Sequence, residues 1–316
     1  MNFFEEQENF RKLAKIYSED TSRLVVFCGA GASREAGMPS WDELVALLLK
    51  AYLDIATTGL GQKIAEERAL QVESARDNWQ RMSMLKEFMG EQYEQTIGAV
   101  LRSDSGLIPS FYRNIWDLNP NALLTFNLDG FANNSYVNRK TGKLQSHIAG
   151  IDAPHSRVGL GDGRPLIVDL HGNIDSPRTW ILTKEERDNL LRDTGYIEFL
   201  KSMFSHNLVI FYGVGIRDFS VSGQLSYLRE LDFVTGKYFL VKKSNEKGDA
   251  DIVNTLPVNI VYTGEDKSWE EGFSDFIGKL RTKTSRDENA LPVLSNLATD
   301  KVIPSPDDLI NTLQTK

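Results

Sequence analysis

The residues that could do chemistry in this chain are two small glycine clusters, an asparagine and a histidine, each placed after an apolar run. LVVF at 24–27 leads through Cys28 into Gly29, Ala30 and Gly31. Small residues at a strand-to-helix turn let backbone N–H groups approach a phosphate, and the helix start behind them turns its positive end toward it. The same turn also forms with no ligand, so the glycines alone leave both readings open. Asn127 follows ALLTF at 122–126. Its amide donates and accepts together, which suits it to orient a water or a hydroxyl; its other reading is a capping amide in a βα turn. His171 follows PLIVDL at 165–170. An unperturbed histidine titrates near neutrality and takes a proton from such a hydroxyl, whereas a satisfied buried histidine does no chemistry.

Around these stand residues with two compatible roles. Ser33 caps the helix after the first glycines or touches a phosphate, and Asp129 holds its loop or a sugar hydroxyl. Asp218, after Gly213 and Gly215, reads as the cap of a helix beginning at Phe219. Cys28 reads as a small buried apolar residue rather than a nucleophile. His147 and His155 fall in a flexible insertion and His206 precedes a strand, and none has a metal-ligand spacing, so no metal is expected.

The elements that must carry these groups are legible as continuous apolar runs: LVVF (24–27), ALLTF (122–126), PLIVDL (165–170), NLVIFY (207–212), KYFLV (237–241) and VNIVY (258–262). Runs without alternation, separated by lengths that suit crossover helices, predict a mostly parallel sheet of six strands covered on both faces. The fold class is α/β, Rossmann-like. Residues 41 to about 105 show helical periodicity far beyond one crossover and predict an inserted helical lobe. Residues 132–164 are rich in Gly, Asn, Ser and Pro, and RKTGK within them suggests a hairpin. The expected organisation is a catalytic domain over 1–283 and a polar linker, or the start of a further region, over 284–316.

Composition narrows the function classes. With 316 residues, 41% hydrophobic and 25% charged, the chain suits a soluble globular protein, and one cysteine excludes an internal disulfide. A net charge of −8 repels phosphate backbones, so nucleic acid is not an expected partner. No leader or membrane-length apolar stretch is read, and a cytoplasmic location is expected.

In combination the motifs resemble the sirtuin NAD-binding fold. Gly29-Ala30-Gly31-Ala32-Ser33, followed by Gly37-Met38-Pro39, is similar to its GAGxSxxxGIP signature. Thr125-Phe126-Asn127-Leu128-Asp129 is similar to its T-x-N-x-D element, Leu170-His171-Gly172 to its histidine-glycine element, and Gly213-Val214-Gly215-Ile216-Arg217-Asp218 to its later glycine-rich turn. The resemblance implies NAD contacts from Gly29, Ala30, Gly31, Ala32, Ser33, Met38, Pro39, Thr125, Asp129, Gly213 and Gly215, with Asn127 and His171 catalytic.

The departures are informative. Where sirtuin deacylases continue with Asp-Phe-Arg, this chain has Ser40-Trp41-Asp42, and Ser40 with Glu43 forms a capping-box pattern that predicts a helix start. Trp41 then reads as a packing residue more than as a shield for nicotinamide. The four-cysteine zinc module of deacylases cannot be built from one cysteine. These features, with the helical insertion, resemble the sirtuin-like NAD hydrolases of bacterial anti-phage systems of the Thoeris type. That resemblance implies NAD as substrate, no zinc, and control by a homo-oligomer or regulatory partner. A zinc-independent deacylase or ADP-ribosyltransferase of the same fold, and a non-catalytic NAD-sensing module, remain the alternatives.

Overall fold

In a computed structural model, the described residues are 3–19, 23–59, 61–102, 106–139, 146–155, 165–205, 207–214, 237–243, 258–264 and 267–282. All of them belong to one compact unit, Met1–Thr284. Residues 283–316, Gly215, Asp218 and His206 lie outside them, and with them the expected linker and the expected cap at Phe219.

Seven strands build a single sheet: β1 (Leu24–Cys28), β2 (Ala122–Thr125), β3 (Ser146–Ala149), β4 (Leu166–Asp169), β5 (Leu208–Tyr212), β6 (Lys237–Lys242) and β7 (Asn259–Tyr262). Their order is β3-β4-β2-β1-β5-β6-β7, and every pairing is parallel. The six apolar runs are all strands, so the expected class holds and the count rises by one. The extra strand is β3, Ser146–Ala149, which pairs in parallel with β4; the turn expected at RKTGK lies, past Arg139, outside the described residues. This edge strand is short and half polar, so it lacks the apolar run that marks the other six.

Successive strand residues point to opposite faces, and both faces are covered. Leu24, Val26, Leu123, Ile167, Ile210 and Val241 form one face. It packs against α2 (Glu8–Glu19), α7 (Ser110–Asn114), α8 (Phe131–Arg139) and α11 (Trp269–Thr282) through Phe10, Leu13, Phe111, Phe131, Phe273 and Phe276. Val25, Phe27, Leu124, Val168, Val209 and Leu240 form the other, against Tyr196, Leu200 and Phe204 of α10 (Thr194–Phe204). The outer edge at β7 is closed by side chains of the amino-terminal segment. Gln7 Nε2 donates to Tyr262 O at 2.9 Å, Tyr262 N donates to Gln7 Oε1 at 2.8 Å, and Asn9 Nδ2 donates to Ile260 O at 2.8 Å. These bonds occupy groups that would otherwise template another strand.

Between β1 and β2 the helical lobe comprises α3 (Trp41–Gly59), α4 (Gln62–Ser74), α5 (Asn78–Met89) and α6 (Gln92–Leu101). The capping box at its entrance is present: Ser40 N donates to Glu43 Oε2 at 2.7 Å and Glu43 N donates to Ser40 Oγ at 3.3 Å. Arg34 pairs with the same carboxylate, and together these bonds hold Glu43 well below the usual carboxylate range, at about 2. The box joins the lobe to the glycine loop from which Arg34 projects.

Candidate functional site

The strand registers place Tyr212, Cys28, Thr125 and Asp169 side by side at the carboxyl end of the sheet. These four continue one face; Phe126 and Leu170, one residue further, continue the other. The chain leaves β1 toward β2 on one side and returns to β5 on the other, which makes the end of β1 the switch point where ligands bind in open α/β sheets.

Two glycine turns meet there, backbone to backbone. Gly29 N donates to Tyr212 O at 3.1 Å and Gly31 N donates to Gly213 O at 2.9 Å. Gly213 has φ +61°, and a Cβ on it would lie 2.5 Å from Ala32 N. Only glycine fits both demands. The contact engages the Gly31 N–H within the protein, and Ala32 N donates to Gly29 O at 2.9 Å. Two donors that the sequence reading assigned to a phosphate are thus bonded internally here, while Gly31 itself reaches the surface. Met38 is buried and its carbonyl accepts from Arg34 at 3.2 Å, with Pro39 half-buried beside it.

Behind the glycines lies a polar knot. Asn127 Nδ2 reaches three acceptors: Gly29 O and Ser33 Oγ at 2.9 Å each, and Tyr112 OH at 3.0 Å. A backbone carbonyl only accepts, so the nitrogen must face inward and Oδ1 outward. Oδ1 makes no hydrogen bond among the described residues. Thr125 Oγ1 accepts from Asn127 N at 3.0 Å and so sets the turn from which the amide projects. Ser33 Oγ donates to Asp129 Oδ2, and Asp129 Oδ1 accepts from Phe131 N at 3.0 Å at the start of α8. Burial pushes the Asp129 carboxyl up to about 6, with the charge of Asp169 adding to it and the Ser33 and Phe131 bonds opposing it. Cys28 is fully buried, its Sγ 3.8 Å from Tyr112 OH, and burial pushes its thiol up to about 12. A thiol so placed is held in its protonated form.

His171 is placed quite differently. It is 2% exposed, and its ring sits among Phe126, Trp79 and Trp41, with centroid separations of 4.7, 5.5 and 6.2 Å. Nε2 has no hydrogen-bond partner among the described residues, and burial lowers the imidazole to about 3. Gly172, at φ +93°, turns the chain directly after it; a Cβ there would lie 2.2 Å from Thr179 O. Trp41 packs as the sequence suggested, 5.4 Å from Trp79. No hydrogen bond joins His171 to Asn127. What links them is Phe126, which neighbours Asn127 in the chain and packs at a tilt against His171.

Five participants were not identified from sequence. Trp79 arrives from the helical lobe and Tyr112 from α7, and both look like ordinary core aromatics. His147 lies on β3 rather than in a flexible insertion, with Nε2 2.6 Å from Asp169 Oδ2, and Asn173 Nδ2 donates to the same oxygen at 2.9 Å. A carboxylate inside the otherwise apolar run PLIVDL was the one available signal for that cluster. His155 ends a short 3-10 helix, Gly150–His155. Among the described residues no group of three or more His, Cys, Asp or Glu converges to hold a metal ion, and no helix is long and apolar enough to cross a membrane.

An open parallel sheet with glycine turns and a polar knot at its switch point defines a Rossmann-like α/β protein. A family model described as the SIR2-like domain matches residues 121–255, from the start of β2 to beyond β6. The match supports a sirtuin-like family and is consistent with NAD-related activity; it contains Asn127, Asp129, His171 and Gly213. No curated protein matches the chain.

Proposed function

We propose that this protein is an NAD hydrolase that breaks the nicotinamide–ribose bond, with Asn127 and His171 at the reacting centre. The observation that carries the reading is Nε2 of His171, a buried polar atom directly after β4 that has no partner among the described residues. A buried group in that state costs stability, and a ligand hydroxyl donating to it removes the cost. Asn127 is complementary: its nitrogen is fixed by three protein acceptors, so Oδ1 is held outward as an acceptor for water or a ribose hydroxyl. The glycine turns at the end of β1, with Ser33, Met38, Pro39, Thr125, Asp129 and Gly213 around them, would carry the pyrophosphate and ribose; Gly215 belongs to the same motif.

The biological setting of this reading is a regulated cytoplasmic effector that depletes NAD in anti-phage defence. Exposed Leu47, Ile64 and Leu70 on α3 and α4 support control through a second copy or a partner, since covering apolar side chains removes them from water. The deciding experiment incubates the full chain with NAD in the absence of any acylated peptide and measures nicotinamide by chromatography across a hundredfold range of protein concentration. Release of nicotinamide, rising per molecule with concentration, is the expected result. Release only when an acylated peptide is added would replace hydrolysis by deacylation.

A further inference from the structure

Asp169 is a carboxylate at 2% exposure on the same sheet face as Thr125 and Cys28, and no role assigned so far uses it. It accepts from Asn173 Nδ2 and lies against His147 Nε2, and that histidine side chain is 25% exposed. His147 is in register with Ile167, so its ring rises along the face that holds the Asn127 knot rather than the face that holds His171. Its Nδ1 makes no hydrogen bond to any described residue. The arrangement has the parts of an acid–base pair: a buried carboxylate that fixes one ring nitrogen, an orienting amide behind it, and a second nitrogen with no partner among the described residues, on a side chain that is partly exposed.

We infer that His147, oriented by Asp169 and Asn173, is the group that takes the proton from the attacking water in the proposed cleavage of NAD. The inference rests on the NAD reading and divides the work between two histidines. His171 is enclosed by hydrocarbon and accepts a hydrogen bond without becoming charged. His147 has a carboxylate at its back, so an imidazolium formed there is compensated at once. The step balances as follows. The C1′–N1 bond breaks with its electron pair going to the pyridinium nitrogen, which leaves as neutral nicotinamide. A lone pair of water forms the new C1′–O bond. One proton of that water passes to His147 Nδ1 and then to solvent from the exposed side of the ring.

The test combines turnover with a readout that needs none. His147→Gln and Asp169→Asn are assayed for nicotinamide release beside the wild type, with melting temperatures recorded. For His147→Gln we expect kcat to fall by about 10²- to 10⁴-fold with KM nearly unchanged, and for His147→Ala we expect added imidazole to restore part of the rate. In parallel, wild-type protein is treated with diethylpyrocarbonate with and without NAD, and peptides are mapped. His147 is expected to be modified, and NAD to protect it. If NAD raises the melting temperature yet does not protect His147, or if His147→Gln turns over at the wild-type rate, the assignment of His147 is wrong and the NAD reading stands. If NAD neither stabilises the protein nor is cleaved, the NAD reading fails and takes this inference with it.

Discussion

The two faces of the sheet end in opposite kinds of chemistry. On one, Asn127 is tied by hydrogen bonds to Gly29, Ser33 and Tyr112, and the knot continues through Asp129 to the start of α8. On the other, His171 touches Phe126, Trp79 and Trp41 and leaves Nε2 unpaired. The first region pairs its buried polar atoms and leaves only Asn127 Oδ1 facing outward; the second leaves a buried nitrogen without a partner among the described residues. A satisfied network pre-organises the atom it presents, whereas an unsatisfied buried group stores a cost that a ligand can relieve. The pairing of a fixed positioner with a relievable deficit is what a site needs if binding energy is to be expressed near the reacting bond.

The largest expected effect separates activity from stability. Asn127→Ala and His171→Phe should each lower nicotinamide release by about 10²-fold or more, the scale of losing a positioning or acid–base group. Their folds should respond oppositely. Asn127→Ala leaves the Ser33 and Tyr112 hydroxyls short of a donor and should lose about 1–3 kcal/mol. His171→Phe replaces an unpaired nitrogen by hydrocarbon in an aromatic setting and should be neutral or stabilising. Urea unfolding of both variants checks this. Equal destabilisation by the two would erase the distinction between the regions.

Next comes the glycine contact that holds the knot to β5. Gly213→Ala places a side chain at φ +61° and drives its Cβ into Ala32 N. The backbone conformation alone should cost about 1–3 kcal/mol, with the clash in addition. Gly37→Ala is the comparison, since its φ is also positive but nothing stands within 4 Å of a Cβ there. If the two variants melt alike, close approach of the loops is not what requires glycine at 213.

Much of this was readable from the chain because the signals were local. Six buried strands announced themselves as apolar runs, and Ser40 with Glu43 marked the lobe entrance within four residues. Asn127 and His171 were visible because each directly follows such a run. What escaped was long-range. Tyr112 enters the knot from α7, and nothing around it in sequence distinguishes it from Phe111, which packs in the core. Trp79 reaches His171 from the first turn of α5. His147 and Asp169 are 22 residues apart and meet only because β3 pairs in parallel beside β4. A four-residue edge strand carries too few apolar residues to declare itself.

The two regions should also titrate with opposite signs. His171 is held at about 3 against an ordinary value of 6.5. Its folded form binds protons less readily than the unfolded chain, so its contribution is full above pH 6.5 and is lost as pH falls from there toward 3. Asp129 is held at about 6 against 3.8. Its folded form binds protons more readily, so its contribution is full below pH 3.8 and is lost as pH rises toward 6. Each slope is up to about 1.4 kcal/mol per pH unit where its group titrates, and between pH 4 and 6 they oppose each other. His171→Phe should therefore make stability fall more steeply with rising pH across that window, and Asp129→Asn should make it rise more steeply. Unfolding free energies at pH 4, 5 and 6 decide it. Parallel curves for the three proteins would mean that neither group is buried in the state that unfolds.

The smallest effect concerns what keeps the aromatic cage shut. The Arg187 guanidinium lies 5.1 Å from the Trp79 ring centroid, on the tryptophan whose ring meets His171 edge-on. Arg187 also pairs with Asp188 at 2.7 Å, but that pair is near the surface and contributes little. The cation against the ring is worth about 0.5–1 kcal/mol at a site of this exposure. Arg187→Gln should therefore lower stability by no more than that, and Trp79→Phe should make it insensitive to the loss of Arg187 by weakening the ring's negative face. A double-mutant cycle of the two isolates the contact from the lost packing of each side chain. A coupling near zero would show that Trp79 is held over His171 by hydrocarbon packing alone. A coupling well above 1 kcal/mol would mean that Arg187 also braces α9 (Lys184–Arg192) against α5, and that the cage is fastened from outside as well as packed from within.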